Sequence, residues 1–211
     1  MLNWIFVLLL LVPCAATATS IDLNGRHSVD EFWLFEDPNH HFNGQSVLDF
    51  QNTAWQQINQ SNINLGYKKA TVWLKFNLTN TTDQSLIKLI DINYPLLDYV
   101  TLFEIQNKRT HTLLETGDSL PFNTRNIKHP NFVSVVTLKP QSTQQFLLKI
   151  KSNAPIQSEV IVWTPDDFQA YYRSKASLTF LYLGMLLSAA LFNLVVFFFI
   201  KEDHCKWVCV N

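Results

Sequence analysis

The sequence predicts an antiparallel β-sandwich followed by one transmembrane helix. Roughly nine strand-like segments follow one another between polar turns, with no helical period between them, which is typical of an all-β domain. The clearest segment, 70–79, alternates apolar and polar residues throughout, as a strand with one buried face does. Residues 178–200 then form an uncharged apolar run. As a helix it would span roughly 34 Å, more than the bilayer core of about 30 Å.

The N-terminus predicts export of the long middle part of the chain. A short apolar run, 2–12, precedes Ala16-x-Ala18, and this order fits a signal peptide. An uncleaved anchor and a lipid anchor on Cys14 are alternatives, and all three would export the segment between the N-terminus and the apolar run 178–200. Because two basic residues flank each side of that run, the positive-inside rule does not decide the orientation, and the N-terminal signal does.

These features divide the chain into four parts. We expect a signal peptide over 1–18, an exported β-sandwich over 19–164, a helix over 165–200 that becomes the span at 178–200, and a cytoplasmic stub over 201–211. All three cysteines, at positions 14, 205 and 209, lie outside the exported domain, so its core rather than disulfides must stabilise it. The net charge of −1 and the lack of a basic block argue against nucleic acid as a partner, whereas the span implies the lipid bilayer.

The first half of the exported domain contains one strong strand and several weak ones. Residues 31–35 predict a first strand, 47–50 and 54–58 predict weaker ones of the kind found at sheet edges, and the polar segment 59–66 predicts a loop. In the strong strand we expect one row in the core: Ala70, Val72, Leu74, Phe76 and Leu78. The opposite row is more polar and consists of Thr71, Trp73, Lys75, Asn77 and Thr79.

Later segments continue the sandwich around one long irregular loop. Further strands are predicted over 86–92, 97–105, 112–115, 132–138, 145–151 and 159–164. The segment 116–130 has little periodicity, and a loop of this length in a compact domain is more often functional than a plain crossover. Thr164-Pro165-Asp166-Asp167 combines a cap, a first-position proline and an acidic first turn. A helix therefore begins near Pro165 and can run unbroken into the membrane.

Four groups of motifs occur in a fixed order along the chain. They are Trp73-Leu74-Lys75-Phe76, then Tyr94-Pro95-Leu96-Leu97-Asp98-Tyr99-Val100, then Thr116-Gly117-Asp118-x-Leu120-Pro121-Phe122-x-x-Arg125-x-Ile127-x-His129-x-Asn131-Phe132-Val133, then Trp163-Thr164-Pro165-x-x-Phe168. This order resembles the extracellular type-2 domain of the bacterial seven-transmembrane receptors with diverse intracellular signalling modules. The resemblance extends from about Glu31 to the end of the span.

The resemblance implies a jelly-roll sandwich similar to carbohydrate-binding modules, located in the periplasm and anchored in the bacterial inner membrane. It also implies six further spans and a cytoplasmic diguanylate cyclase, histidine kinase or phosphatase domain, whereas this sequence stops after the first span. The expected function is the ligand-sensing domain of a signalling receptor, as a fragment or truncated product without its output module. A membrane-anchored carbohydrate- or protein-binding module without signalling is the alternative. A homodimer is compatible with both.

An exported enzyme is a third class, but the sequence gives it little support. It contains no Gly-rich phosphate loop, no nucleophile elbow and no His pair at metal spacing. We therefore expect a protein that is not an enzyme and that uses no cofactor or metal.

Five residues are candidates for a ligand site. Trp73 and Lys75 share one strand face, where an exposed ring beside an ammonium would stack on a sugar. The 116–130 loop supplies Asp118 as an acceptor and Arg125 and His129 as donors. If this loop folds over the strand, as the resemblance implies, the five form a pocket for an acidic or hydroxylated small molecule or a carbohydrate. The alternatives are a second core layer for Trp73, a tie within the loop for Arg125 and His129, and an Asx-turn for Asp118.

Overall fold

The computed structural model describes residues 25–49 and 54–208, with side chains up to residue 198. The predicted signal peptide, the cysteine side chains and the side chains of the predicted stub lie outside this part. The strands are β1 (His27–Ser28), β2 (Glu31–Asp37), β3 (Gln56–Asn59), β4 (Asn62–Gly66), β5 (Thr71–Asn80), β6 (Leu86–Ile92), β7 (Tyr99–Gln106), β8 (Arg109–Thr116), β9 (Phe132–Leu138), β10 (Ser142–Lys151) and β11 (Ile156–Trp163). The helices are α1 (Gly44–Leu48), a short 3-10 helix (Phe122–Thr124) and α2 (Pro165–Val208).

The strands form two antiparallel sheets that pack face to face. The six-stranded sheet has the order β3-β2-β5-β10-β7-β8, and the five-stranded sheet has the order β1-β11-β6-β9 with β4 also paired to β11. All the strand pairs among the described residues are antiparallel. The predicted antiparallel β-sandwich followed by one apolar helix is therefore confirmed.

The core between the sheets consists of the alternate apolar residues that the strand pattern predicts. In β5, Val72, Leu74 and Phe76 are fully buried. The Phe76 ring stacks on Phe146 of β10 with centroids 5.6 Å apart and meets Phe32 of β2 edge-on at 5.7 Å. Each fully buried side chain of this size stabilises the fold by about 1.5–3 kcal/mol relative to an exposed one.

Two segments differ from the sequence-based expectation. Residues 47–50 were expected to form an edge strand, but Val47 lies in α1, which Asn43 caps by accepting hydrogen bonds from the backbone N–H of Gln45 and Ser46. The polar segment 59–66 was expected to be a loop, but it contains β4, because pairing with β11 and burial of Ile63 outweigh its polar composition.

Helix α2 begins at Pro165, the residue at which the capping pattern places it. The Thr164 hydroxyl accepts a hydrogen bond from the Asp167 N–H at 3.2 Å, and Asp166 and Asp167 occupy the first turn. The helix then continues without a break through the apolar run. In the described part of the chain it is the one helix long and apolar enough to cross a membrane, and its apolar segment is not covered by the sandwich.

Candidate functional site

The structure places Trp73 in a second apolar layer on the outer face of the six-stranded sheet. Its side chain is fully buried beside Val47 of α1 and Leu147 of β10. Its ring also stacks on Phe103 of β7 with centroids 6.3 Å apart. The exposed stacking surface predicted for Trp73 is therefore wrong, because α1 and the neighbouring strands cover this part of the sheet.

Lys75 lies on the same outer face, two residues further along β5, and it borders an open cavity. Its Nζ is 4.7 Å from the centroid of the Trp55 ring and 5.8 Å from that of Trp33. Among the described residues it forms no ion pair, and partial burial lowers the pKa of its ammonium group. The cavity has a volume of about 330 Å³ and is also bordered by Asp49, Lys108 and Gln145. Trp55 was not recognised from the sequence as a site residue.

Asp118 is exposed at the start of the 116–130 loop. Its backbone N–H donates to the Leu97 carbonyl at 2.8 Å, which holds the loop against the start of β7. The preceding Gly117 is so close to that segment that a Cβ there would lie 1.9 Å from the Asp98 carbonyl oxygen. Glycine is thus required by this close approach of the loop to the segment before β7.

Arg125 ties the far end of the loop together. Its Nη1 donates to the carbonyl oxygens of His129 and Pro130 at 2.6 and 2.5 Å. Its guanidinium lies between the rings of Phe122 and Phe132, 4.7 and 4.8 Å from their centroids. These two hydrogen bonds use two of the five guanidinium N–H donors, and both join residues of the loop, as expected for a structural tie within it.

His129 packs against helix α2 rather than against β5. Its Nδ1 accepts a hydrogen bond from the Asn131 N–H at 3.1 Å, and its ring centroid lies 5.1 Å from Phe168 and 4.2 Å from Tyr172. Burial and the positive charges of Arg125 and Lys175 lower the pKa of its imidazole. The structure thus brings Arg125 and His129 together at the end of the loop, with His129 against α2. Trp73 and Lys75 lie on the outer face of the other sheet.

A buried polar network joins the sandwich to α2, and sequence reasoning did not identify it. Asp91 of β6 is completely buried. Its Oδ1 accepts from Asn131 Nδ2 at 3.0 Å and its Oδ2 from the Tyr172 hydroxyl at 3.1 Å. Burial raises the pKa of Asp91, although these hydrogen bonds oppose the shift. The signal that could have found this position is the single acid within the mostly apolar strand LIKLIDI.

Aromatic side chains surround this network and fix the first turns of α2. Trp163, the last residue of β11, is fully buried and its ring lies 5.1 Å from Tyr171 and 6.1 Å from Phe168. Phe168 and Tyr172 are themselves 4.7 Å apart. The last strand, the loop and the helix therefore form one packed unit at the base of the five-stranded sheet.

Asp91→Asn is expected to change how stability depends on pH. Because the folded-state pKa is raised, the folded domain binds more protons than the unfolded chain between the ordinary pKa of 3.8 and the raised value. Wild-type stability from this group therefore falls as pH rises through that window. The variant keeps an acceptor for Asn131 and cannot ionise. Its free energy of unfolding relative to wild type should therefore increase as pH rises, by about 1.4 kcal/mol for each unit by which the Asp91 pKa is raised.

Urea unfolding of the full chain in detergent, repeated from about pH 3.5 to 7, measures this difference. Asp30→Asn, at an exposed position, is the matched control for removing one carboxylate. A difference between Asp91→Asn and wild type that stays constant across the pH range would contradict the assignment.

A sandwich whose last strand leads directly into a long apolar helix fits the class of membrane proteins with an outward-facing domain. The comparisons with known proteins agree with this class. The chain belongs to the 7TMR-DISM extracellular 2 family, whose model matches residues 30–164. This family supplies the sensor domain of membrane receptors rather than a catalytic domain. No curated protein matches the chain significantly.

The chain is only distantly similar to solved structures. A β-glucosidase from Kluyveromyces marxianus in complex with glucose has a TM-score of 0.39 and 12% identity, covering 70% of this chain and 17% of that one. The Epithelial Adhesin 9 A domain from Candida glabrata in complex with Galβ1-4GlcNAc has a TM-score of 0.33 and 9% identity, covering 67% and 84%. A subtype-switched form of this adhesin domain in complex with β-lactose has a TM-score of 0.31 and 6% identity, covering 67% and 83%.

Proposed function

We propose that this chain contains the ligand-sensing domain of a bacterial signalling receptor, with the sandwich in the periplasm and α2 crossing the inner membrane. The observation that carries this proposal is the continuity of α2. The helix starts inside the packed base of the domain, at Trp163, Phe168 and Tyr172, and runs into the apolar segment without a break. A rearrangement of the sandwich would therefore reach the membrane through one rigid element rather than a flexible linker.

The proposed ligand site is the cavity beside Lys75. Trp55 supplies an aromatic surface, Lys75 an ammonium without an ionic partner among the described residues, and Asp49 and Gln145 supply further polar groups. An apolar ring beside convergent polar groups is the usual composition of a site for a hydroxylated small molecule. A positive charge that is partly withdrawn from water also favours an acidic group. The ligand class is therefore an acidic or hydroxylated small molecule, such as a sugar acid or the end of a glycan.

Titration of the full chain in nanodiscs with neutral sugars, sugar acids and amino acids, followed by calorimetry, tests this site. For the compound that binds, Lys75→Gln should weaken affinity about tenfold or more, because a hydrogen bond to a charged group contributes about 1.5–3 kcal/mol. Lys149→Gln is the matched control. Its ammonium also lies over a tryptophan, 5.3 Å from the Trp73 centroid, but it does not border the cavity. Equal losses in both variants, or no binding by any compound, would contradict the proposal.

The same sample tests transmission to the helix. Ligand binding should change amide hydrogen exchange in the first two turns of α2, which the domain contacts, as well as around the cavity. Protection that changes only around Lys75 and Trp55 would indicate a binding module that does not transmit a signal.

A further inference from the structure

A second cavity lies where the sandwich meets α2, close to the expected membrane surface. Its volume is about 260 Å³, and its walls are Asn93, His129 and Asn131 of the sandwich and Tyr172, Lys175 and Thr179 of the helix. Lys175 precedes the apolar run 178–200 by three residues, or about 4.5 Å of helix. The headgroup layer extends roughly 5–7 Å beyond the hydrocarbon core on each side. The cavity therefore opens at headgroup depth.

Hydrogen-bond donors converge on this cavity. The Nδ1 of His129 accepts a hydrogen bond from the Asn131 N–H, so the neutral imidazole carries its proton on Nε2 and can donate there. The amide oxygen of Asn93 accepts from Asn131, which leaves the Asn93 NH2 group as a donor. Lys175 adds three N–H donors, and within the described residues its ammonium makes no ion pair. These groups can bind an anion that has several oxygens.

The charges around the cavity also favour an anion. His129 faces the positive charges of Arg125 and Lys175, which disfavour its protonation. The acidic group that contacts the wall is Asp91, which is completely buried behind Asn131 and Tyr172 and is already hydrogen-bonded to both. A ligand with a negative charge would relieve the repulsion between the cationic groups and would not meet a carboxylate directly.

We propose that this cavity binds the phosphate group of a phospholipid from the leaflet that surrounds the emerging helix. The size of the cavity suits one headgroup phosphate and is below that of sites for drug-sized ligands. Because Ala176 and Thr179 of α2 also line the cavity, the acyl chains of a bound lipid can follow the apolar surface of the helix. Inorganic phosphate shares the recognised chemistry, and only the lipid is held at this depth by its acyl chains. Such a contact would anchor the sandwich to the bilayer beside the first turns of α2.

The test is the titration of the His129 imidazole by NMR in the full chain, in three environments. These are phosphatidylcholine nanodiscs that contain phosphatidylglycerol, detergent micelles without lipid, and the same micelles with millimolar inorganic phosphate. A phosphate bound next to His129 stabilises the imidazolium, so the lipid nanodiscs should raise its pKa by roughly one unit or more over the micelles. Lys175→Gln should remove this lipid-dependent rise, although it also raises the baseline by removing a positive charge.

Arg173→Gln is the matched control, because Arg173 lies two residues before Lys175 and does not border the cavity. In this variant the lipid-dependent rise in the His129 pKa should differ from the wild-type rise by no more than about one third, since diffuse surface charge is screened over about 10 Å in 0.1 M salt. Equal loss in both variants would show diffuse attraction to the surface and overturn the proposal. So would the absence of any rise in lipid. A rise of equal size with inorganic phosphate in micelles would overturn the lipid as the ligand.

Discussion

Replacing Trp163 by alanine is expected to lower the free energy of unfolding of the domain by about 3–5 kcal/mol, the range for deleting a buried tryptophan or phenylalanine side chain. Trp163 is fully buried, because it is enclosed by Phe168, Tyr171 and Leu89 in the cluster at the base of the sandwich. Its ring is the contact between the last strand and the first turns of α2. The variant should therefore loosen the packing of α2 against the sandwich as well as lower the stability of the domain.

Urea unfolding followed by far-UV circular dichroism measures the stability. Amide exchange of residues 166–173 measures how firmly the first turns of α2 are held. Trp33→Ala is the control, since Trp33 is only half-buried on the outer face of β2 and should cost less and leave α2 unchanged. If Trp163→Ala destabilised the domain while exchange in α2 stayed at its wild-type rate, the proposed mechanical link would be wrong.

Replacing Phe76 by alanine is expected to cost a similar 3–5 kcal/mol, but without a selective effect on the helix. Phe76 lies in the centre of the core between Phe32 and Phe146, and all three rings are fully buried. Removing it leaves a cavity between two sheets whose strands are held in register by hydrogen bonds on both sides of β5, so the surroundings cannot collapse to fill it.

The same urea unfolding experiment measures this variant. Phe76→Leu keeps most of the apolar volume and should recover more than half of the loss. Ile87→Ala, at an outward position on β6 that is 58% exposed, should change stability by no more than about 0.5 kcal/mol. A cost for Phe76→Ala as small as that of Ile87→Ala would contradict the facing assigned to β5.

The sequence predicts the strands of the sandwich well where one face is buried by the opposite sheet. The bounds of β6 and β9 agree with the predicted 86–92 and 132–138, because apolar alternation there reflects one continuous core. The prediction that Trp73 is exposed fails because the alternating pattern separates the two faces of β5 but does not reveal that α1 covers the outer one. The sequence also fails to predict β4, because the stability of that strand comes from its pairing with β11.

The candidate sites show the same division between local pattern and tertiary contact. Lys75 was correctly assigned to the outer face of β5. Its aromatic neighbour Trp55 belongs to the weak predicted strand 54–58, whose pattern does not reveal that the ring lies beside Lys75. The network of Asp91, Asn131 and Tyr172 joins residues separated by 40 and 81 positions. Only the fold brings these three residues together, although the acid inside a mostly apolar strand is a sequence signal for Asp91.

The unbroken course of α2 has a mechanical consequence. From Pro165 to Phe198 the helix is about 50 Å long at about 1.5 Å per residue. Its first turns pack against aromatic rings of the sandwich, whereas nearly all the residues from Arg173 to Phe198 are exposed. The helix is therefore a lever with its pivot at the base of the sandwich. A tilt of about 5° where the rings hold the helix would displace the far end of its apolar segment by about 4 Å, so a small rearrangement of the rings would become a movement of atomic size there.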